Sequence, residues 1–311
     1  MTPTIRKSIP SVAVLSCVII SSVSAQPRGE GPLVLRLPSS ARSLSLANAG
    51  IASTDADAMF YNPGMLASIR GSAVSMQRYG SFATAGSMAT VTITGSTTIG
   101  IGAQYVSYTA PTGASYADIV QSGGTHLSDS AGVSAASTAL TFGVAKTIRG
   151  LQLGASVKFA EDRIGARHDG VMAFDIGMNR ALGPGTLGVV LQNLGGGPRI
   201  DGIKGTLPRR FGVGWGVSRA IAANWDIGAQ TALTVEGNWF VRPAGGGEIT
   251  YVPIDGVAIT LRQGFRLPRE RDESLITAGL GFTVDRIAVD YAMEPMRGRR
   301  PVSHRVGIRI R

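Results

Sequence analysis

The sequence predicts an all-β chain, closed into a transmembrane outer-membrane β-barrel of about fourteen antiparallel strands with an N-terminal plug, or hatch, segment. Three observations carry that expectation. Glycine accounts for 42 of 311 residues while charged residues make up only 16%. From Gly71 onward apolar residues alternate with small or polar ones at period two. The segments that alternate are even in number, and the connections between them alternate short and long. A hydrophobic share of 44% and a mean hydropathy of +0.17 exclude intrinsic disorder, which needs low hydrophobicity. Glycine at this density weakens helices by nearly ~1 kcal/mol per residue, and there is no Gly-X-Y period.

The first element is an export signal over residues 1–25. Arg6 and Lys7 precede an apolar run from Ile9 to Ile20, and Val23-Ser24-Ala25 is the small-residue pattern a signal peptidase cuts. Cys17, the only cysteine, lies in that run, so the exported chain forms no disulfide. No apolar stretch long enough for a helical span follows it.

Residues 26–70 form the second element. Leu44, Leu46, Ile51, Met59, Phe60 and Leu66 keep no period of two, and Tyr61-Asn62-Pro63-Gly64 reads as a turn. A compact segment of this size ahead of a barrel has the bulk to plug the lumen. A periplasmic tether is the other reading.

Residues 71–311 form the barrel. In Leu151-Gln152-Leu153-Gly154-Ala155-Ser156-Val157-Lys158-Phe159 every odd position is apolar and every even one small or polar, so the two sheet faces differ. The same split recurs at Phe211–Ser218, Ile287–Tyr291 and Arg305–Arg311. The polar face is mostly Gly, Ser, Thr, Ala and Gln, which suits a lumen better than bulk water. Strands are expected at 72–79, 84–94, 97–109, 132–147, 150–162, 169–182, 185–194, 207–220, 224–235, 246–254, 257–267, 274–284, 286–294 and 302–311. Tight turns fall at Gly95-Ser96, Arg149-Gly150, Gly183-Pro184, Ala222-Ala223, Asp255-Gly256 and Asp285. Longer links run over 110–131, 195–206, 236–245, 266–273 and 295–301. Tyr105, Tyr108, Trp215, Trp225, Trp239, Tyr251 and Tyr291 are candidates for interfacial girdles. Both termini are expected on the periplasmic side.

The formal charge of +10 is carried in two places. Arg163, Arg167, Arg269, Arg271, Arg297, Arg299 and Arg300 fall on the long-loop rim, either as a solvated surface or as partners for lipopolysaccharide phosphates. Lys158, Arg210, Arg262, Arg305 and Arg309 fall on the lumen face, with Asp175, Asp226, Asp290 and Glu294 as candidate counter-charges. These either pair wall with plug or guide a permeant anion. An exported chain has no nucleic-acid partner to meet, whatever its charge.

No enzyme, cofactor or metal chemistry is expected. His126, His168 and His304 lie in or beside the predicted long loops, without the spacing that makes metal ligands converge. Repeats such as Gly212-Val213-Gly214-Trp215-Gly216 are spaced by two, unlike a phosphate loop, and read as lumen face.

The run Ser40–Ala52, followed by Asp55-Ala56-Asp57-Ala58-Met59-Phe60-Tyr61-Asn62-Pro63-Gly64-Met65-Leu66-Ala67, resembles the N-terminal signature of the PorV/PorQ family of outer-membrane proteins, a branch of the long-chain fatty-acid transporter superfamily. Val190-Leu191-Gln192-Asn193-Leu194-Gly195 resembles that family's mid-barrel Leu-Gln-Asn-Leu-Gly. Phe60 before Tyr61, Gly64 in place of the usual Ala, and the end Ile310-Arg311 depart from the pattern. The resemblance implies a fourteen-stranded barrel with an N-terminal hatch, in which Asp55, Asp57, Tyr61, Asn62 and Pro63 mark the plug motif. It also implies a part in protein secretion or surface attachment, with secretion-system proteins or secreted cargo as partners. Passive transport of a hydrophobic small molecule is the alternative, and a structural or receptor barrel with no conduit is a further one. Outer-membrane lipid and lipopolysaccharide are partners on every reading.

Overall fold

The computed structural model describes residues 30–79, 83–111, 132–200, 202–269, 273–296 and 302–310. The strands are β1 (Gly71–Tyr79), β2 (Ala83–Thr94), β3 (Thr97–Pro111), β4 (Gly132–Ile148), β5 (Leu151–Ile164), β6 (Arg167–Leu182), β7 (Gly185–Gly195), β8 (Arg199–Ile200), β9 (Ile203–Lys204), β10 (Arg210–Ala222), β11 (Trp225–Glu236), β12 (Phe240–Ile254), β13 (Val257–Arg266), β14 (Ile276–Val284), β15 (Ile287–Glu294) and β16 (Ser303–Ile310). Fourteen of them close an antiparallel barrel in which β1 pairs with β16. β7 pairs directly with β10, because β8 and β9 form a separate hairpin inside the link between them. Closure leaves none of the fourteen barrel strands with an unpaired edge, which an apolar solvent demands. Among the described residues no helix is long and apolar enough to cross a membrane.

The period of two sets the two faces. On β4, Leu140, Phe142 and Val144 point out, while Ser137, Ala139, Thr141, Gly143 and Ala145 are buried inside. The outward set continues round the circumference through Phe159, Met172, Phe211, Leu261, Phe282 and Ile308, all exposed. Soluble monomers seldom expose a contiguous apolar patch above roughly 600 Å². A belt that encircles the molecule calls for apolar surroundings.

Strand ends fall close to the expected ones except at β12, which begins at Phe240 rather than 246. Pro243 and Gly245–Gly247 made this stretch look like a loop. The carbonyl of Pro243 accepts from the amide of Leu267, beyond the last paired rung, Ala244 opposite Arg266. In an antiparallel pair a residue's N–H and C=O face the same neighbour, so the missing donor of Pro243 falls where the ladder ends. The expected long link over 236–245 is therefore only the 3₁₀ turn Gly237–Trp239.

The aromatic candidates divide. Trp225 and Tyr251 pack with ring centroids 4.8 Å apart on the outward short-turn end, and Tyr291 Oη lies 2.6 Å from His304 Nδ1 on adjacent strands. Trp239 is 88% exposed on its turn. Tyr108 faces inward and is buried, because even positions of β3 point to the lumen, so it belongs to no girdle. His304 is likewise a strand residue, while His126 lies outside the described residues.

Candidate functional site in the barrel lumen

Residues 30–70 run through the lumen from one rim to the other. The stretch starts at the long-loop rim, where the Gly31 amide donates to Thr206 O, and ends beside the first residue of β1 on the short-turn rim. It folds as 3₁₀ turns Leu33–Arg36, Gly50–Ala52, Ala56–Phe60 and Pro63–Ser68 and one five-residue α-helix, Ala41–Ser45. Ser40 caps that helix through Ser43, and Asn62 Oδ1 accepts from Gly64 N at 3.0 Å to start the last turn with Pro63 in first position. The last described strand residue, Ile310, lies at the short-turn rim, and the chain termini lie outside the described residues.

The wall is hollowed to receive this segment. A Cβ on Gly102 would stand 2.6 Å from the Phe60 ring, one on Gly143 2.8 Å from Leu66, one on Gly214 2.7 Å from Ile51 and one on Gly246 2.8 Å from Leu46. All four are inward, Gly102 and Gly214 within runs of glycines spaced by two, and their missing side chains are the recess.

The motif residues hold the segment's shape. Tyr61 Oη accepts from Ser39 N at 2.9 Å and lies against Ser43 Oγ and Asn48 Oδ1. Asn62 Nδ2 donates to Ile51 O at 3.1 Å and to Asn179 Oδ1 at 2.8 Å. Asp57 accepts from Ser40 Oγ. Tyr61→Phe is expected to cost about 1–3 kcal/mol, the penalty of leaving the buried Ser39 amide without an acceptor. The urea midpoint of the protein in lipid vesicles reads it, and an unchanged midpoint counts against this role.

Asp55 belongs to a ring of six alternating charges. Arg42 meets Asp55 at 3.3 Å, Asp55 meets Arg309 at 2.8 Å, and Arg309 meets Asp290. Asp290 then meets Arg262 at 2.6 Å, Arg262 meets Glu248 at 3.0 Å, and Glu248 returns to Arg42 at 2.6 Å. Two members come from the inner segment and four from the wall, so the ring fastens one to the other.

A second anchor uses the Gln-Asn pair of β7. Asp175 stands opposite both Gln192 and Asn193 in a bulge, with Asn193 at φ 56°, a region asparagine tolerates. Asp175 accepts from Asn193 N at 2.8 Å and pairs with Lys158 at 2.7 Å, while Lys158 also donates to Asn193 Oδ1 at 3.0 Å. Gln192 Nε2 donates to Phe60 O at 2.8 Å. Arg305, 1% exposed, donates to the carbonyls of Pro38 and Ser39 and to Gln77 and Ser75.

The long-loop rim carries a third cluster. Arg210 meets Glu236 at 3.2 Å, and Arg242 meets Glu273 at 2.9 Å. Arg269 reaches Glu236 and Glu30 at 2.7 Å each, so its guanidinium ties the start of the segment inward instead of facing lipopolysaccharide. Burial lowers the tendency of Arg269 to hold its proton, but Glu236 and Glu30 outweigh it and raise its pKa. Burial would likewise raise Glu273, yet Arg242 and Arg266 hold its carboxyl below the ordinary range. Arg163 is exposed beside Glu161 at 3.2 Å, whereas Arg271, Arg297, Arg299 and Arg300 lie outside the described residues. Asp226 makes no ion pair among the described residues; it is half-buried and faces a cavity.

The lumen has two unlike halves. Toward the long loops the β3–β6 side of the wall is apolar, with Val106, Tyr108, Ala139, Ala160, Ile164 and Ala173 packed against Val34, Leu35, Ile200 and Leu207, while the β10–β13 side carries the Arg–Glu cluster. Toward the short turns lies a polar cavity of about 620 Å³, lined by Arg42, Asp226, Glu248, Thr250, Thr260, Arg262 and Arg309 among others. Four members of the ion ring line that cavity. Sequence reading missed Arg42, Glu248, Arg242 and Arg266. Glu248 and Arg266 sit at inward positions of β12 and β13 that the period of two marks, and Arg242 joins them once β12 is given its full length.

No protein-family model matches the chain, and no curated relative matches it. Solved structures do. The toluene transporter TodX of Pseudomonas putida aligns over 88% of this chain and 97% of its own, at 11% identity and a TM-score of 0.53. The monoaromatic hydrocarbon channel CymD aligns over 86% and 96%, at 10% identity and a TM-score of 0.57. At such identities the likeness is one of fold: this chain shares its closed-barrel architecture with TodX and CymD.

Proposed function

We propose that this chain, after loss of residues 1–25, is a non-enzymatic outer-membrane barrel that lets a small hydrophobic molecule pass, with residues 26–70 as its hatch. The apolar β3–β6 side of the long-loop half of the lumen carries the reading. Porins for polar solutes line their interior with polar side chains, whereas Val106, Tyr108, Ala139 and Ile164 offer a hydrocarbon a dry approach. The printed names of TodX and CymD, a toluene transporter and a monoaromatic hydrocarbon channel, support the same solute class. The encircling apolar belt supports the membrane location, with the short turns toward the periplasm. Leu33–Arg36 fills the apolar half and is hydrogen-bonded to the wall through Val34 N to Ser137 Oγ at 3.2 Å. Passage requires that short stretch to move aside.

The PorV/PorQ resemblance supports a secretion role only if its motifs do something the fold does not need. Asp55, Tyr61, Asn62, Gln192 and Asn193 are all engaged in seating the inner segment. They are consistent with either activity and so favour neither.

Cells depleted of their own hydrocarbon-uptake barrels and expressing this chain are expected to take up radiolabelled toluene several-fold faster than cells with an empty vector. Ala139→Glu, which places a charge in the apolar half, is expected to abolish the gain with the barrel still inserted. Uptake equal to the vector control overturns the proposal.

A further inference from the structure

Arg305 aside, which donates to carbonyl, amide and hydroxyl oxygens, the cations of the lumen are matched with carboxylates, and those of the short-turn edge are not. Arg70, Lys146, Arg149, Arg180, Arg219 and Arg286 are exposed there and make no ion pair among the described residues. The described acidic residues exposed at the same edge are Asp255 and Asp285.

Three of the six stand on the outward face of strands, in line with the belt. Lys146 follows Val144 and Phe142 on that face of β4, and lies opposite Leu153. Arg180 follows Met178 on β6 and sits between Leu151 and Leu187 on its two neighbours. Arg219 on β10 lies opposite Ile227. Arg70 stands just ahead of β1, exposed at the same edge. Long side chains rooted among apolar neighbours extend their charged ends to the border of the hydrocarbon layer.

We infer that this edge is a docking girdle for anionic phospholipid head groups of the leaflet that meets the short turns. Guanidinium groups take phosphate oxygens as paired hydrogen bonds, and a basic fringe beside an anionic leaflet is attracted to it. The distribution selects lipid over a protein partner. The cations are spread over β4, β6, β10, two turns and the residue ahead of β1, around the barrel rather than gathered on one patch, which suits many small head groups. The inference rests on the barrel standing in a membrane and is independent of what crosses the lumen.

Native mass spectrometry of the purified full barrel, with phosphatidylglycerol and phosphatidylcholine of identical chains supplied in equal amounts, tests it. The wild type is expected to retain phosphatidylglycerol several-fold over phosphatidylcholine. The combined variant Arg70→Gln, Lys146→Gln, Arg180→Gln, Arg219→Gln should lose that preference while keeping the heat-modifiable mobility of a folded barrel. Exchange of the three arginines for lysine should keep the preference, as should Arg163→Gln with Arg167→Gln at the opposite edge. Equal retention of both lipids by the wild type, a preference that survives the combined variant, or selective retention of lipopolysaccharide or of an acidic protein at this edge would each overturn it.

Discussion

Lys158→Met is expected to destabilise the folded barrel by about 3–5 kcal/mol, read as a lowered urea midpoint in vesicles at unchanged slope. Lys158 and Asp175 are 2.7 Å apart with side chains 3% and 0% exposed, so the pair is dry. Methionine fills most of the lysine's volume and removes its charge. The carboxylate of Asp175 is then left buried with the Asn193 amide as its remaining neutral donor. The attraction between the two charges is not the source of the loss, since burial takes back most of it; the stranded carboxylate is. Lys158→Met combined with Asp175→Leu is therefore expected to recover most of the stability, short of about 1–3 kcal/mol for the unmatched Asn193 amide. Arg309→Met in the ion ring should cost less, because the ring borders the cavity of about 620 Å³ and water screens what remains. A Lys158→Met barrel with wild-type stability, or a double variant weaker than the single, would contradict this account.

The parts of this fold that were legible in the sequence are those governed by a local period. Leu140-Thr141-Phe142-Gly143-Val144-Ala145 states in six residues which side meets lipid and which meets the lumen. Gly95, Gly150 and Gly183 sit at positive φ in the tight turns, so glycine marked those positions truthfully. The β12 boundary was hidden because Pro243 and three glycines look alike in a loop and at a ladder's end. The hairpin of β8 and β9 has two residues per strand, too few for any period. At the lumen site the wall charges Lys158, Arg262, Asp290, Arg305 and Arg309 could be phased because they lie on strands. Arg42 lies in an irregular segment with no phase to read. Its partner Glu248 is 206 positions away, a distance only closure of the barrel bridges.

Gly154→Val is expected to unseat the inner segment while the fourteen strands still close, and so to raise single-channel conductance in planar bilayers several-fold over the wild type. A Cβ at Gly154 would come within 2.6 Å of Gly64 N and closer still to the carbonyl group of Pro63. These are backbone atoms, fixed by the cap from Asn62 Oδ1 to Gly64 N, and cannot swing aside as a side chain would. Overpacking of this kind costs about 1–3 kcal/mol when neighbours can shift. Here the part able to shift is the segment, because β5 is held by long ladders to β4 and β6 on either side. Its displacement also pulls Asn62 from Asn179 and Ser68 from Gln152, which removes the contacts at that end of the lumen. Gly247→Ala is the matched control: it faces outward, and its nearest neighbour, Gly228 O at 3.8 Å, leaves room for a methyl group. Its conductance should equal the wild type's. Protease cleavage within residues 56–68 from the short-turn side, present in Gly154→Val and absent in the control, would locate the change in the segment rather than in the loops. Wild-type conductance in Gly154→Val, with the variant folded, would mean that residues 26–70 do not occlude the lumen and would remove the hatch from the proposed function.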